Sequence, residues 1–275
     1  MSGDGSPRPA LHLTSLQNPR VKRLVRLWER RHRQAEGVCP VDEPRVLRRA
    51  LAAGVKVREV YLCPELAAAH PDAAALLEPL AAAADRVVTV TPPVMAKIAY
   101  RRHPAGVLAV IEPPAWPLDR LDLPSDALVV LLEDVEKPGN LGAVVRTASG
   151  AGVHAVLACG EGADPWNPNA LRASTGAVLS VPTVTVRDVA EAVARLRAAG
   201  VRLVAATPDA DPLYTDLDLT GPTAFLLGAE DTGLSPDLLK KADARCRIPM
   251  LGTADSLNVS VSAAVLVYEA RRQRG

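Results

Sequence analysis

Five short apolar runs between residues 127 and 227 constrain this chain more than any other feature: Ala127 to Leu132, Ala155 to Ala158, Val181 to Val186, Val201 to Ala206 and Ala224 to Leu227. Each has the length of a strand, and helical patterns intervene from Leu141 and over Arg187 to Ala199. The second of these puts Val189, Val193 and Leu196 on one face and stops at Gly200. Strands alternating with helices imply a parallel sheet covered on both faces, an α/β fold.

The N-terminal half predicts a smaller α/β domain. Val57 to Leu62, Val87 to Val90 and Gly106 to Ile111 resemble short strands, with Ala-rich helical stretches at 64–84 and near Met95. From Asn18 to Ala50 the spacing of Val21, Leu24, Val25 and Leu27 among many arginines predicts a basic amphipathic helix. Glu112 to Pro117 and Leu123-Pro124-Ser125 are too rich in proline for a central strand or helix. The expected layout is therefore a flexible tail at 1–11, a first domain at 12–111, a linker at 112–125 and a second domain at 126–275. A chain of 275 residues that is 48% hydrophobic is long enough for two such cores.

Residues 1–60 hold 13 Lys/Arg against 6 Asp/Glu, a local excess hidden by the overall charge of +1. Arg20, Lys22, Arg23, Arg30, Arg31 and Arg33 are the candidate contacts to RNA, although a basic run can equally be a solvated helix face. One Phe, three Trp and four Tyr are too few for an extended base-stacking platform, which leaves charge the larger part of any nucleic-acid binding. Cys39, Cys63, Cys159 and Cys246 are scattered and form no C-x-x-C pair, which fits a reduced, cytoplasmic protein rather than a disulfide framework. No signal peptide or membrane span is expected.

Three segments carry candidate chemistry. In Glu133-Asp134-Val135-Glu136-Lys137-Pro138-Gly139-Asn140-Leu141-Gly142-Ala143-Val144-Val145-Arg146, a strand ends in a Pro-Gly turn and a helix begins. Leu141, Val144, Val145 and Ala148 form its apolar stripe, which turns Arg146 to the opposite face, while Asn140 stands at the helix start. Asn140 as a plain cap and Arg146 as a plain surface residue remain open at this point. In Leu227-Gly228-Ala229-Glu230-Asp231-Thr232-Gly233, a buried strand enters a glycine-bounded loop, where Gly228 either admits a ligand against the backbone or serves a turn. The third segment, Arg247-Ile248-Pro249-Met250 through Ser256-Leu257-Asn258-Val259-Ser260, places hydroxyls and an amide just before an apolar helix ending in Arg271, Arg272 and Arg274. No Walker A or G-x-G-x-x-G pattern is present.

In this order, N-L-G-x-x-x-R-T, L-G-A-E-x-x-G-L-S and I-P-M…S-L-N-V-S resemble the three motifs of the SpoU/TrmH family of SPOUT methyltransferases, and Asn169 to Ala177 is similar to family sequence. The resemblance covers residues 127–275. Asn18-Pro19-Arg20-Val21-Lys22, Arg30-Arg31 and His103 to Val107 resemble more loosely the L30e-like substrate-binding domain that accompanies many of these enzymes. Where relatives often read F-x-V-E-G, this chain has Gly37-Val38-Cys39-Pro40-Val41-Asp42-Glu43-Pro44.

The resemblance implies a C-terminal trefoil-knot methyltransferase domain whose knot forms the S-adenosylmethionine pocket, an N-terminal RNA-binding domain, and homodimerisation through the knotted domain. It implies cofactor contacts from Leu227, Gly228, Ile248, Met250, Leu257 and Asn258. The implied reaction, methyl transfer to a ribose 2′-oxygen of RNA, needs alignment and proton removal but no metal. Arginine, with a pKa above about 12, is a poor base, so the expected role of Arg146 is to clamp a phosphate and stabilise the developing alkoxide. Asn140, Glu230, Ser256 and Asn258 would orient the ribose and that guanidinium. By the same resemblance, the two-domain layout is that of ribosomal methyltransferases, which makes 23S ribosomal RNA the expected substrate. The alternatives are a tRNA substrate, a noncatalytic RNA-binding or ribosome-assembly factor on the same scaffold, and a generic doubly wound enzyme, which leaves the conjunction of motifs unexplained.

Overall fold

The computed structural model describes residues 11–275, and the chain divides into two compact units that meet in sequence between Pro114 and Ala115. The expected tail lies outside the described residues except for Leu11, which opens a strand. Nor is the expected linker free chain beyond Ala115: Leu121 is buried in the second unit's core, and Trp116, Leu118 and Leu123 pack against it. Proline keeps this stretch out of the sheet, yet its apolar side chains still cover one.

The first unit runs β1 (Leu11–Leu13), α1 (Pro19–Arg26), α2 (Arg30–Glu36), β2 (Cys39–Val41), α3 (Pro44–Ala52), β3 (Val57–Leu62), α4 (Pro64–Ala67), α5 (Pro71–Ala74), α6 (Leu77–Ala83), β4 (Ala84–Val90), α7 (Pro92–Ile98) and β5 (Val107–Ile111). Its sheet has the order β1-β4-β3-β5-β2, with β1, β4 and β3 parallel and β5 antiparallel to both neighbours. The single basic helix expected from Asn18 to Ala50 is instead α1, α2, β2 and α3. Asn18 caps α1 by accepting the Arg20 amide at 2.9 Å, Gly37 ends α2 at φ 65°, and Pro44 opens α3. Apolar spacing carries across these breaks because all three helices cover the same unit. Val21, Leu24 and Leu27 meet Val94, Met95 and Ile98 over Tyr61, Val88 and Leu108 of the sheet.

The second unit runs β6 (Leu128–Glu133), α8 (Pro138–Ala151), β7 (Ala155–Cys159), α9 (Pro168–Ala173), β8 (Thr183–Val186), α10 (Val189–Ala198), β9 (Arg202–Ala206), β10 (Thr223–Leu227), α11 (Pro236–Lys241), β11 (Ala244–Cys246) and α12 (Val259–Arg274). All six strands are parallel, in the order β11-β9-β10-β6-β7-β8. The five apolar runs are five of these strands; β11, three residues without an apolar run, escapes sequence patterning. The chain moves outward from β6 through β7 to β8, crosses to β9, returns to β10 and ends beyond β9 at β11. The adjacent strands β6 and β10 therefore send their next connections in opposite directions, the arrangement that opens a crevice at the strand ends of α/β sheets.

On one face α8 packs between α9 and α12. Arg271 of α12 donates to the Ala151 carbonyl through Nε at 2.9 Å and Nη2 at 2.8 Å, closing the C-terminus of α8 with a cation. Gly142 explains the glycine of the first motif. A Cβ there would lie 2.4 Å from the Ala170 carbonyl oxygen and 2.8 Å from the Ala173 methyl, so α8 and α9 touch only because position 142 has no side chain. Gly142→Ala is expected to cost about 1–3 kcal/mol through overpacking and to lower Tm by several degrees in a thermal melt. An unchanged Tm would show that the two helices separate without strain.

Candidate active site

The loops after β9, β10 and β11 leave the same edge of the sheet and enclose a cavity of about 400 Å³. Ala206 to Asp209 line one side, Leu227 to Leu234 another, and Ile248, Met250, Asp255, Ser256, Leu257, Val259 and Ser262 the third. Five of the six cofactor candidates, Leu227, Gly228, Ile248, Met250 and Leu257, are in this lining; Asn258 is not, although both its neighbours are. Gly228 fills the turn role open to it in the sequence. A Cβ at 228 would stand 2.1 Å from the backbone of Gly233, so the space it leaves is taken by the loop itself. Gly233, at φ 67°, donates its amide to the Ala229 carbonyl at 3.0 Å, and the tight turn so formed is the pocket wall.

The three motif segments meet at Glu230. Its Oε1 accepts from Asn140 Nδ2 at 2.8 Å and from Asn258 Nδ2 at 2.6 Å, while Oε2 pairs with the Lys137 ammonium. Asn258 also donates to Asn140 Oδ1 at 3.2 Å. Asn140 is the third residue of α8 rather than its cap, because Pro138 starts the helix; its side chain is thereby released for this network. Asn258 caps α12, its Oδ1 accepting the Ser260 amide at 3.0 Å and the Ser260 hydroxyl at 2.6 Å, which leaves only Nδ2 to face Glu230. The Lys137 ammonium, followed by the two amides, holds the Glu230 carboxyl below the ordinary glutamate range.

A second strap lies beneath the first. Glu133, buried at the end of β6, accepts the Ser235 hydroxyl and the Ser235 amide, each at 2.7 Å. Ser235 simultaneously caps α11 through the Leu238 amide. A buried carboxylate is tolerable because both oxygens have donors, and it fixes the far end of the 228–235 loop against β6. Glu133, Ser235 and Lys137, together with Thr207 and Asp209, are site residues that no pattern of the sequence singles out. The loop after β9 matches no motif, and its only signal is its place at a strand C-terminus.

Of the catalytic candidates, Asn140, Glu230 and Asn258 are joined by hydrogen bonds and Ser256 lines the cavity. Arg146 is apart: it lies exposed on α8, outside the lining, with no ion pair among the described residues. The RNA-contact candidates also divide. Lys22 is exposed and Arg20 half-buried, but Arg23 is held by Glu36 at 2.6 Å and Glu59 at 3.1 Å, and Arg31 by Glu29 at 2.8 Å. Arg30 is half-buried with a partner of its own. Arg33 corrects its assignment: it is 5% exposed and donates to the Leu27 and Trp28 carbonyls at 3.2 and 2.7 Å, closing the end of α1 instead of facing solvent. All four cysteines are buried outside disulfides, and burial pushes the Cys159 and Cys246 thiols up to about 12 and about 11, far from reactive thiolates.

The sequence profile of the SpoU rRNA Methylase family matches residues 127–268, and that of the MRM3-like substrate binding domain matches 18–109. The chain belongs to the SpoU family. A crystal structure of an RNA 2′-O ribose methyltransferase superposes with a TM-score of 0.82 at 39% identity, over 96% of this chain and 99% of that one. The S-adenosylmethionine-bound rRNA methyltransferase of Sinorhizobium meliloti gives 0.86 at 30% identity, over 96% and 98%. The 23S rRNA (uridine(2479)-2′-O)-methyltransferase of Streptomyces viridochromogenes is 40% identical over 176 residues, 62% of this chain and 61% of that protein.

The cofactor of these SpoU enzymes is S-adenosylmethionine, and the cavity's chemistry suits it. Leu227, Ile248, Met250 and Leu257 offer apolar surface to a flat base, while Asp209, Glu230 and Asp255 offer negative charge to a cation bearing both sulfonium and ammonium groups. Because Lys137 holds the Glu230 carboxyl below the ordinary range, Lys137→Ala is expected to shift the acid limb of the methylation pH profile to higher pH. Glu230→Gln should remove the Lys137 pairing and cut turnover at every pH. An acid limb identical in Lys137→Ala and wild type would mean that ionised Glu230 is not required.

Proposed function

We propose that this SpoU-family methyltransferase transfers the methyl group of S-adenosylmethionine to one ribose 2′-hydroxyl of 23S ribosomal RNA in the cytoplasm, as a homodimer. The observation that carries the reading is the convergence of Asn140, Glu230 and Asn258 at the edge of the cavity, each from a different motif. Structural likeness over both units to a cofactor-bound rRNA methyltransferase supports the choice of ribosomal RNA. Arg247 pairs by backbone with the 212–214 loop, its amide to Pro212 at 2.9 Å and its carbonyl to Tyr214 at 3.0 Å. This contact supports a trefoil knot, in which the third motif threads the loop after β9.

Bound cofactor supplies an electrophilic methyl group; the protein aligns the nucleophile and manages charge. Glu230, ionised and saturated with donors, is a poor base, and its work is to fix the two asparagine amides that orient the ribose. Arg146 stabilises the developing alkoxide and clamps the adjacent phosphate, where a planar guanidinium offers two parallel donors. It does so in the partner's site. On α12, Val261, Ala264, Val265 and Tyr268 recur at the spacing of one helix face and all remain at least partly exposed, with Val261 at 46% and Tyr268 at 51%. Ala143, Gly150 and Arg146 occupy the exposed face of the neighbouring α8. A second copy packed on this apolar face carries Arg146 across the seam.

Tritium transfer from labelled S-adenosylmethionine to purified 23S rRNA and to tRNA, with ribose-methylation mapping, tests the activity. Label on one 23S ribose is expected, reduced on the order of 10²-fold or more by Arg146→Ala and also strongly by Arg146→Lys. Label confined to tRNA would replace the substrate, and cofactor binding without transfer to either RNA would favour a noncatalytic role. Tyr268→Glu is expected to give monomers in sedimentation velocity and to lose transfer while retaining the fold. A fully active monomer would sink the in-trans placement of Arg146.

A further inference from the structure

The first unit carries a surface that methyl transfer does not explain. Trp28, just beyond α1, and Tyr100, just beyond α7, meet with ring centroids 5.2 Å apart and planes inclined by 46°. The indole is anchored by donating Nε1–H to the Ile98 carbonyl at 2.8 Å. Trp28 is half-buried against the core of the unit, and Tyr100, 40% exposed, carries the ring pair out to solvent.

The surface is fixed in place by a buried carboxyl group. Asp42, 5% exposed, accepts the amides of Tyr100 at 2.8 Å and Arg101 at 3.0 Å through one oxygen. Its neighbour Glu43 pairs with the Arg101 guanidinium at 3.2 Å. Burial of Asp42 pushes its carboxyl up, and the two amide bonds oppose that shift. These consecutive acids hold the loop that presents Tyr100.

The cations of the unit divide, and Lys22, Arg45 and Lys56 are exposed with no ion pair among the described residues. Arg23, Arg31, Arg48, Arg58 and Arg101 are all matched by carboxylates. Arg26, two residues before Trp28, and Lys97 and Arg102, within three residues of Tyr100, are exposed and have no ion pair among the described residues. An aromatic surface bordered by unmatched positive charge is complementary to a base flanked by phosphates.

We propose that Trp28 and Tyr100 stack an unpaired nucleobase of the substrate RNA, with its flanking phosphates on Arg26, Lys97 and Arg102. The proposal rests on the assignment of RNA as substrate and specifies how the first unit engages it. An unpaired nucleotide is favoured over a helical stem because a base must leave its own stack to lie on a side chain, and A-form grooves give rings no such access. Stacking selects for an unpaired position and tolerates any base.

The test uses the full-length protein with a single-stranded RNA 12-mer containing 2-aminopurine, the same strand annealed to its complement, and 23S rRNA as methyl acceptor. Wild type should quench 2-aminopurine fluorescence in the single strand and leave the duplex unchanged. Tyr100→Ala should abolish the quench and raise KM for 23S rRNA about tenfold, with kcat, Tm and cofactor affinity near wild type, whereas Tyr100→Phe should retain both binding readouts. Arg102→Ala should lower the salt slope of RNA binding by about one. An unchanged quench and KM in Tyr100→Ala, in an enzyme that still methylates RNA, overturns this proposal and leaves the activity standing. Equal loss in the Phe and Ala variants with a lower Tm also overturns it, in favour of a structural role, as does quenching that persists in the duplex. Failure of wild type to methylate any RNA instead removes the assignment on which the proposal depends.

Discussion

Five parallel ladder pairs, from Thr223 with Leu128 to Leu227 with Leu132, hold β10 against β6, and the site lies where that pairing ends. The pairing brings Glu133 and Gly228 to the same edge of the sheet although nearly a hundred residues separate them. Beyond the last pair the chains must diverge, since α8 leads toward β7 while the 228–235 loop leads to α11. The gap so produced is spanned twice, below by Glu133 with Ser235 and above by Asn140 with Glu230. Any slip in register would move the carboxylates to the wrong faces together.

The two straps divide the labour between structure and chemistry. Glu133 is buried and fully satisfied by one serine, which makes it an anchor without spare capacity for a ligand. Glu230 borders the cavity and gathers an ammonium and two amides, so its charge orients groups that a substrate can meet. Gly142 and Gly228 serve these straps indirectly. One lets α8 seat against α9, and the other lets the loop close on itself, so both motif glycines are answers to backbone crowding.

In the first unit the density of positive charge along the chain does not tell which cations are already matched. Of the six arginines and lysines singled out by their density, Arg33 caps a helix from within and Arg23 and Arg31 are neutralised by neighbours. Arg26 and Lys97, exposed and without an ion pair among the described residues, lie far apart in sequence on α1 and α7, two helices that pack together. Local charge density counts side chains; the field at a surface depends on which of them already have partners.

The sequence alone determined the two α/β units, five of the six strands of the second sheet, the family and the two motif segments that line two sides of the pocket. Those features follow from local periodicity and from motifs whose spacing is preserved within short segments. The break of the basic stretch into three helices was signalled by Gly37 and Pro44, but a shared apolar spacing masked it. Only the tertiary structure decided that Asn140 is a network residue and not a cap, that Arg33 is inside, that Arg146 lies outside the lining of its own cavity, and that Lys137 and Glu133 adjoin the site. Each of those outcomes depends on which distant strand or helix lies alongside, and strand order in a sheet is set by packing of the whole unit rather than by any segment's own preference.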